Sequence, residues 1–187
     1  MAGNKSRFGP NVMTVQEATN SIAQKRIIRV TPTLDAGTAY ATNDVLFNST
    51  EIPNAVLRPG GTSTLVRAYL YNHKDSSIDF DLIFTQNQAN LGTINDAVAS
   101  GSLWTEALAK ASKVIGYTHQ DTGDQDIDLI NGQLALITQD FAGLIGDMPM
   151  IWQASENSTS IYFAGIDRTG GVDFGADDLE FIFHVEY

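Results

Sequence analysis

Residues 62–88, TSTLVRAYLYNHKDSSIDFDLIFTQNQ, decide how this chain is read. In Ile78, Phe80, Leu82 and Phe84 every second residue is large and apolar, with Asp79 and Asp81 between them, the period-2 pattern of a strand with one buried face. Upstream, Val66, Ala68 and Leu70 occupy one face of a second run, and Leu65, Arg67, Tyr69 and Tyr71 the other. The intervening Asn72–Ser77 is polar and rich in turn formers. Two strands joined by so short a loop are expected to pair as an antiparallel hairpin. A hairpin alone is not stable, so its apolar face needs a cover. The best match is the C-terminal run, where Leu179, Phe181, Phe183, Val185 and Tyr187 alternate with Asp178, Glu180, Ile182, His184 and Glu186. The last strand is therefore expected inside a sheet.

Working outward, Lys25–Leu34 reads as a strand with Ile28 and Val30 on its inner face, and Pro32, which has no N–H for a ladder, places its end at an edge. Asp44–Phe47 and Glu51–Leu57 read as two short strands, followed by the breaker Arg58-Pro59-Gly60-Gly61. Ser102–Ile115 has apolar residues at helical spacing, with Ser102 as cap. Beyond it, Asn131-Gly132 between Ile127/Leu129 and Leu134/Leu136 predicts a hairpin on a type I′ turn. Ile145–Gln153 and Ser160–Ile166 read as further strands, with Gly165 marking a bulge or a close approach. Eight to ten short strands with one short helix insertion predict a mainly β fold, an antiparallel β-sandwich or jelly-roll-like domain over residues 26–187. Residues 1–25 read as an N-terminal arm with a marginal helix, capped by Thr14 with Glu17 at the third helical position.

Composition narrows function. The chain has 187 residues, 22 acidic against 11 basic side chains, a net charge of −11 and no cysteine. Disulfides, thiolate nucleophiles and thiolate metal sites are excluded, and a nucleic-acid groove, which needs clustered cations, is not expected. No run is apolar enough for a membrane span, and the first residues lack the apolar core of a secretory signal. The expectation is a protein made as a soluble intracellular product, with no membrane partner.

No GxSxG, Walker A, GxGxxG or HExxH pattern is present, and His73, His119 and His184 stand singly, each read as a surface or edge residue. The chain is therefore expected not to be an enzyme and to need no cofactor. Asp121, Asp124, Asp126 and Asp128 alternate as Ca²⁺-loop oxygens do, but without the glycine and glutamate of an EF-hand frame. They read first as solvated turn acids and second as ligands of a structural Ca²⁺. Asp173, Asp177 and Asp178 form a second acidic group. Trp104, Trp152, Tyr69, Tyr71 and Tyr162 could line a sugar platform.

The order of these elements resembles a family of small tailed-bacteriophage virion structural proteins. The resemblance rests on Thr38–Leu46 (TAYATNDVL), Pro59–Leu65 (PGGTSTL), Tyr71–Asp75, Phe80–Phe84 (FDLIF) and Leu91–Ala97 (LGTINDA), and runs over roughly residues 35–187. The arm at residues 1–25 has no counterpart in it, and Asn72-His73-Lys74-Asp75 replaces a more charged turn. What the resemblance implies is a capsid decoration, or auxiliary head, protein of the virion. It would bind the major capsid protein and itself, a trimer being the first expectation; the contacts themselves are expected not from the resemblance but from the arm, which could reach a neighbour, at Lys5, Arg7, Phe8, Val12, Val15 and Ile22. A tail or adaptor position in the particle fits the same residues, and a carbohydrate- or receptor-binding β-sandwich module is the alternative from another class.

Overall fold

A computed structural model describes residues 24–74, 76–98, 110–121, 126–129, 131–137, 139–141, 144–146 and 149–187. The arm expected at residues 1–25, with Lys5, Arg7, Phe8, Val12, Val15 and Ile22, lies outside the described residues up to residue 23, and Lys25 already begins the first strand. Twelve strands are described: β1 Lys25–Val30, β2 Val45–Ile52, β3 Thr62–Asn72, β4 Phe80–Thr85, β5 Val114–Gln120, β6 Asp126–Asp128, β7 Gln133–Ile137, β8 Gln139–Phe141, β9 Leu144–Gly146, β10 Met150–Gln153, β11 Ile161–Asp167 and β12 Leu179–Glu186. All their pairings are antiparallel. A six-stranded sheet runs β1-β12-β3-β7-β6 with β10 also on β3, a four-stranded sheet runs β2-β11-β4-β5, and β8-β9 form a small ribbon. The β-sandwich expected from the sequence is the fold.

The expected hairpin of β3 with β4 does not form. β3 pairs with β12, β7 and β10 in one sheet, and β4 pairs with β11 and β5 in the other, so the chain crosses between the sheets after Asn72. The crossing is held by side-chain bonds to backbone: buried Asn72 donates from Nδ2 to the Ser76 carbonyl at 2.7 Å and accepts the Lys74 N–H at 3.0 Å. The His73 N–H donates to the Asp178 carbonyl at 2.7 Å. Buried Ile78 then leads the chain into β4. Alternation records only that each strand has one buried face, and two strands facing each other across a core satisfy it as well as two strands side by side.

The cover expected from the C-terminus does form. β12 lies between β1 and β3, and Phe181 and Phe183 point across the core at Phe80, Phe84 and Phe163 of the facing sheet. The Phe163 centroid stands 5.2 Å from both Phe181 and Phe183, at 74° and 83°, the edge-to-face geometry aromatic rings prefer. Trp152, wholly buried, closes the cluster against Phe84 at 5.5 Å. Each such ring buries enough apolar area to stabilise the fold by about 2–3 kcal/mol before entropy is counted.

Other departures have local causes. A bulge between His184 and Val185 leaves Val66 as an extra residue in β3, which flips the phase and turns Leu65 inward beside Ala68 and Leu70. Asp44–Phe47 and Glu51–Leu57 are not two strands, because β2 runs on from Val45 to Ile52 through polar Asn48–Thr50. Of the helix expected over 102–115, residues 102–109 lie outside the described residues and Lys110–Ser112 is helical, but it ends sooner than expected: Lys113 takes a left-handed φ of 52°, and Val114 and Ile115 enter β5. β6 and β7 do pair as the expected hairpin, yet the Leu129 N–H bonds the Gly132 carbonyl at 2.8 Å, so the tip lies between those two residues. Gly132 has no left-handed φ; it is needed because a Cβ there would meet the Asn72 carbonyl at 2.6 Å.

Candidate interaction face

The two sheets differ in what covers their outer faces. Over the four-stranded sheet, residues 87–98 fold as a strap. Asn48 and Ser49, where β2 bulges, hold it: Asn48 Nδ2 donates to the Gly92 carbonyl at 2.5 Å, the Leu91 N–H donates to Asn48 Oδ1 at 2.8 Å, and the Ala89 N–H donates to Ser49 Oγ at 3.1 Å. The Val45 N–H bonds the Asp96 carbonyl, and the Asn95 N–H the Val45 carbonyl, both at 2.9 Å, so the strap also occupies the free edge of β2. Leu91 and Val98 then pack on the outward Val45, Ile83, Ala164 and Ile166 as a second small core.

Among the described residues the outer face of the six-stranded sheet belongs to neither buried cluster, although Ile182 at its centre is only 9% exposed. Register builds that face in rows. Ile27 stands opposite His184 and then Arg67; Arg29 opposite Ile182, Tyr69 and Leu136; Glu180 opposite Tyr71, Leu134 and Ile127. Ile27 and Ile127 are 59% and 60% exposed, and Tyr69, Tyr71, Leu134 and Leu136 are half-buried. Tyr69 packs against the His184 ring at 5.3 Å and Tyr71 against the His73 ring at 4.3 Å. Arg29 donates to Glu180 at 2.9 Å, an exposed pair of the kind that contributes about 1 kcal/mol or less. An apolar and aromatic centre with a charged margin is the composition of a protein-contact surface.

The sugar-platform residues divide. Tyr69 and Tyr71 share this face, but Trp152 is core and Tyr162 lies half-buried in the other sheet; Trp104 is outside the described residues. Of the acidic quartet, Asp121 and Asp128 are exposed, Asp126 lies in β6, and Asp124 is outside the described residues. Among the described residues no three His, Asp or Glu side chains gather so as to hold a metal ion. Asp178 accepts the Gly175 N–H, and Asp173 bridges to Ala39.

Two polar clusters escaped the sequence reading. Asp81 of β4 is bound by Arg168 Nε at 2.7 Å and by Arg168 Nη2, and lies 2.6 Å from His119 Nδ1; Arg168 also reaches Asn43. Its oxygens are occupied, and the cluster ties β4, β5 and the end of β11. At the loop end, Asp167 accepts the Thr169 and Gly170 N–H groups at 3.1 and 2.9 Å, Asp44 accepts that of Ala41 at 2.7 Å, and the Tyr40 hydroxyl accepts that of Asp35 at 2.8 Å. Burial raises the Asp167 carboxyl above its ordinary range, partly offset by those N–H bonds and reinforced by Asp44. Burial likewise pushes Tyr40 up to about 12. These carboxylates hold turns.

No protein-family model matches the chain, and no curated protein matches it. Among solved structures it matches a chain of Desmodium yellow mottle tymovirus at 13% identity, over 100% of this chain and 88% of that one, with a TM-score of 0.28, a superposition too loose to carry an argument. No helix of the described residues is long and apolar enough to cross a membrane.

Proposed function

We propose that this protein is a non-enzymatic structural component of a bacteriophage virion, a capsid decoration protein that binds the outer shell as an oligomer. The observation that carries the reading is the asymmetry of the sandwich: one outer face is strapped over, the other is left apolar and aromatic around Tyr69, Ile182 and Leu136. A rigid two-sheet body with one such face works by contact, and many identical copies on a shell sum modest contacts into tight binding. The residues that resemble tailed-phage virion proteins point to the particle, with the major capsid protein and further copies of this chain as partners and a trimer as the assembly. The arm, with Lys5, Arg7, Phe8, Val12, Val15 and Ile22, is a second contact in this reading.

The test is co-sedimentation of the purified chain with particles lacking it. Tyr69→Asp and Leu136→Asp, each checked for an unchanged fold, are expected to lose binding, as is the chain lacking residues 1–23. Undiminished binding by all three overturns the contact assignment. A second reading, a carbohydrate-binding module, is favoured by Tyr69 and Tyr71 lying side by side on one strand face; a glycan array on which the chain binds nothing removes it.

A further inference from the structure

We infer that the open edge of β1 is a docking site for an extended acidic segment of a partner protein, which adds a strand beside Lys25–Val30 and seats an apolar side chain next to Tyr187. This inference does not rest on the virion reading, since it concerns the edge of β1, which adjoins the candidate face at Ile27 and Arg29, and any protein partner of that chemistry.

The first observation is the edge. β1 ends its sheet and pairs only with β12; among the described residues no backbone hydrogen bond joins Lys25–Val30 to another segment. The comparable edge strand of the other sheet, β2, is met by the strap, through backbone bonds at Val45 and side-chain bonds at Asn48 and Ser49, whereas among the described residues β1 has no such cover. An open row of N–H and C=O groups is matched by an extended backbone. Pro32, which has no N–H, limits the added strand to about six residues.

The second observation is charge. The chain carries a net −11, yet three of its 11 lysines and arginines fall in this one strand: Lys25, Arg26 and Arg29. Arg29 is neutralised by Glu180 and Lys25 stands opposite Glu186 across the ladder, whereas Arg26 stands opposite Val185 and is exposed, with no ion pair among the described residues. On a body of net negative charge, this concentration of cations, with Arg26 unpaired, is where an acidic segment meets the least repulsion.

The third is the notch beside that strip. It has a volume of about 220 Å³, with Lys25 and Arg26 at its rim and Val56, Leu57 and Tyr187 as its apolar wall. Tyr187 is fixed there by its N–H to the Gln24 carbonyl at 2.9 Å and its hydroxyl to the Asn54 carbonyl at 2.5 Å. Leu57 is 64% exposed and Ile27, one side chain along the edge, is 59% exposed, so apolar area waits beside the cations. An open backbone edge and a pocket for a side chain are the elements of recognition by strand addition, and the cations beside them favour an acidic segment.

The experiment is fluorescence anisotropy of the full chain with a labelled ten-residue peptide alternating Glu and Val. Saturable binding is expected, weakening with salt. The same peptide with Lys for Glu is expected not to bind. The double variant Lys25→Glu/Arg26→Glu and the single Leu57→Ser, all at exposed positions, are each expected to bind at least about tenfold more weakly with melting temperature unchanged. Of two peptides N-methylated on alternate sets of backbone amides, one is expected to lose binding, because only one edge of a strand meets β1. No saturable binding of the Glu/Val peptide, equal binding by the double variant, or parent-like binding by both N-methylated peptides overturns the inference.

Discussion

The ring of Phe47 occupies the space where a side chain on Gly165 would stand: a Cβ built on Gly165 falls 2.4 Å from Phe47 Cε1 and 2.9 Å from Cδ1 and Cζ. Register slips on both sides of Gly165, between Phe163 and Gly165 and between Gly165 and Ile166, as β2 carries extra residues past β11. Phe47 is wholly buried and packs on Phe163 at 5.1 Å and Phe181 at 5.4 Å, so it has no room to retreat. Gly165→Ala is therefore expected to destabilise the fold by about 1–3 kcal/mol, and the added change Phe47→Leu to recover part of that loss. Urea denaturation of the two single variants and the double variant measures the coupling; additive losses contradict the packing account.

Asn48 carries both ends of one amide to the strap, on the Gly92 carbonyl and the Leu91 N–H. Asn48→Ala is expected to cost about 1–3 kcal/mol and to speed hydrogen exchange at Leu91 while leaving Phe163, inside β11, protected. Unchanged exchange at Leu91 would mean that the strap is held by its apolar contacts alone.

Thr118, wholly buried in β5, has a hydroxyl without a hydrogen-bond partner among the described residues. Removing an unmet polar group while keeping the shape is favourable. Thr118→Val is expected to raise stability by about 1 kcal/mol, read as a higher denaturation midpoint; a lower midpoint refutes this.

Asp167 and Tyr40 both hold their protons more tightly in the folded chain than in the unfolded one. For a raised value the stabilising contribution is complete below the unfolded value and is lost as pH rises through the folded one. The stability of the wild type relative to Asp167→Asn is thus expected to fall as pH rises from about 3.8 toward neutral. Relative to Tyr40→Phe it falls again between about 10 and 12. Melting curves across both windows check the sign; a relative stability that rises with pH contradicts it.

What the sequence could show was set by how local each signal is. Alternation in β12 and β11 is written in consecutive residues, and so is the isolated Gly165, so β12, β11 of the facing sheet and the bulge were legible. The placement of β3 and β4 in different sheets depends on β12, β7, β11 and β5 taking their edges, which no local pattern encodes. The phase change at Val66 has the same non-local origin, since it exists only against His184 and Val185. Trp152 carries no mark that separates a core ring from a platform ring. At the candidate face, the outward turn of Tyr69 and Tyr71 could be read from β3 alone. Their junction with Ile182, Leu134 and Leu136 needed the register of three strands, and the Asp81–Arg168 tie joins residues 87 apart.

The central claim is that this chain coats a viral shell by contact. Its most direct test is to count copies per particle by quantitative mass spectrometry of virions purified from the phage that the proposal takes as its source. The account predicts many copies in fixed proportion to the major capsid protein. A few copies would move the chain to the tail or an adaptor, and its absence from the particles would contradict the account.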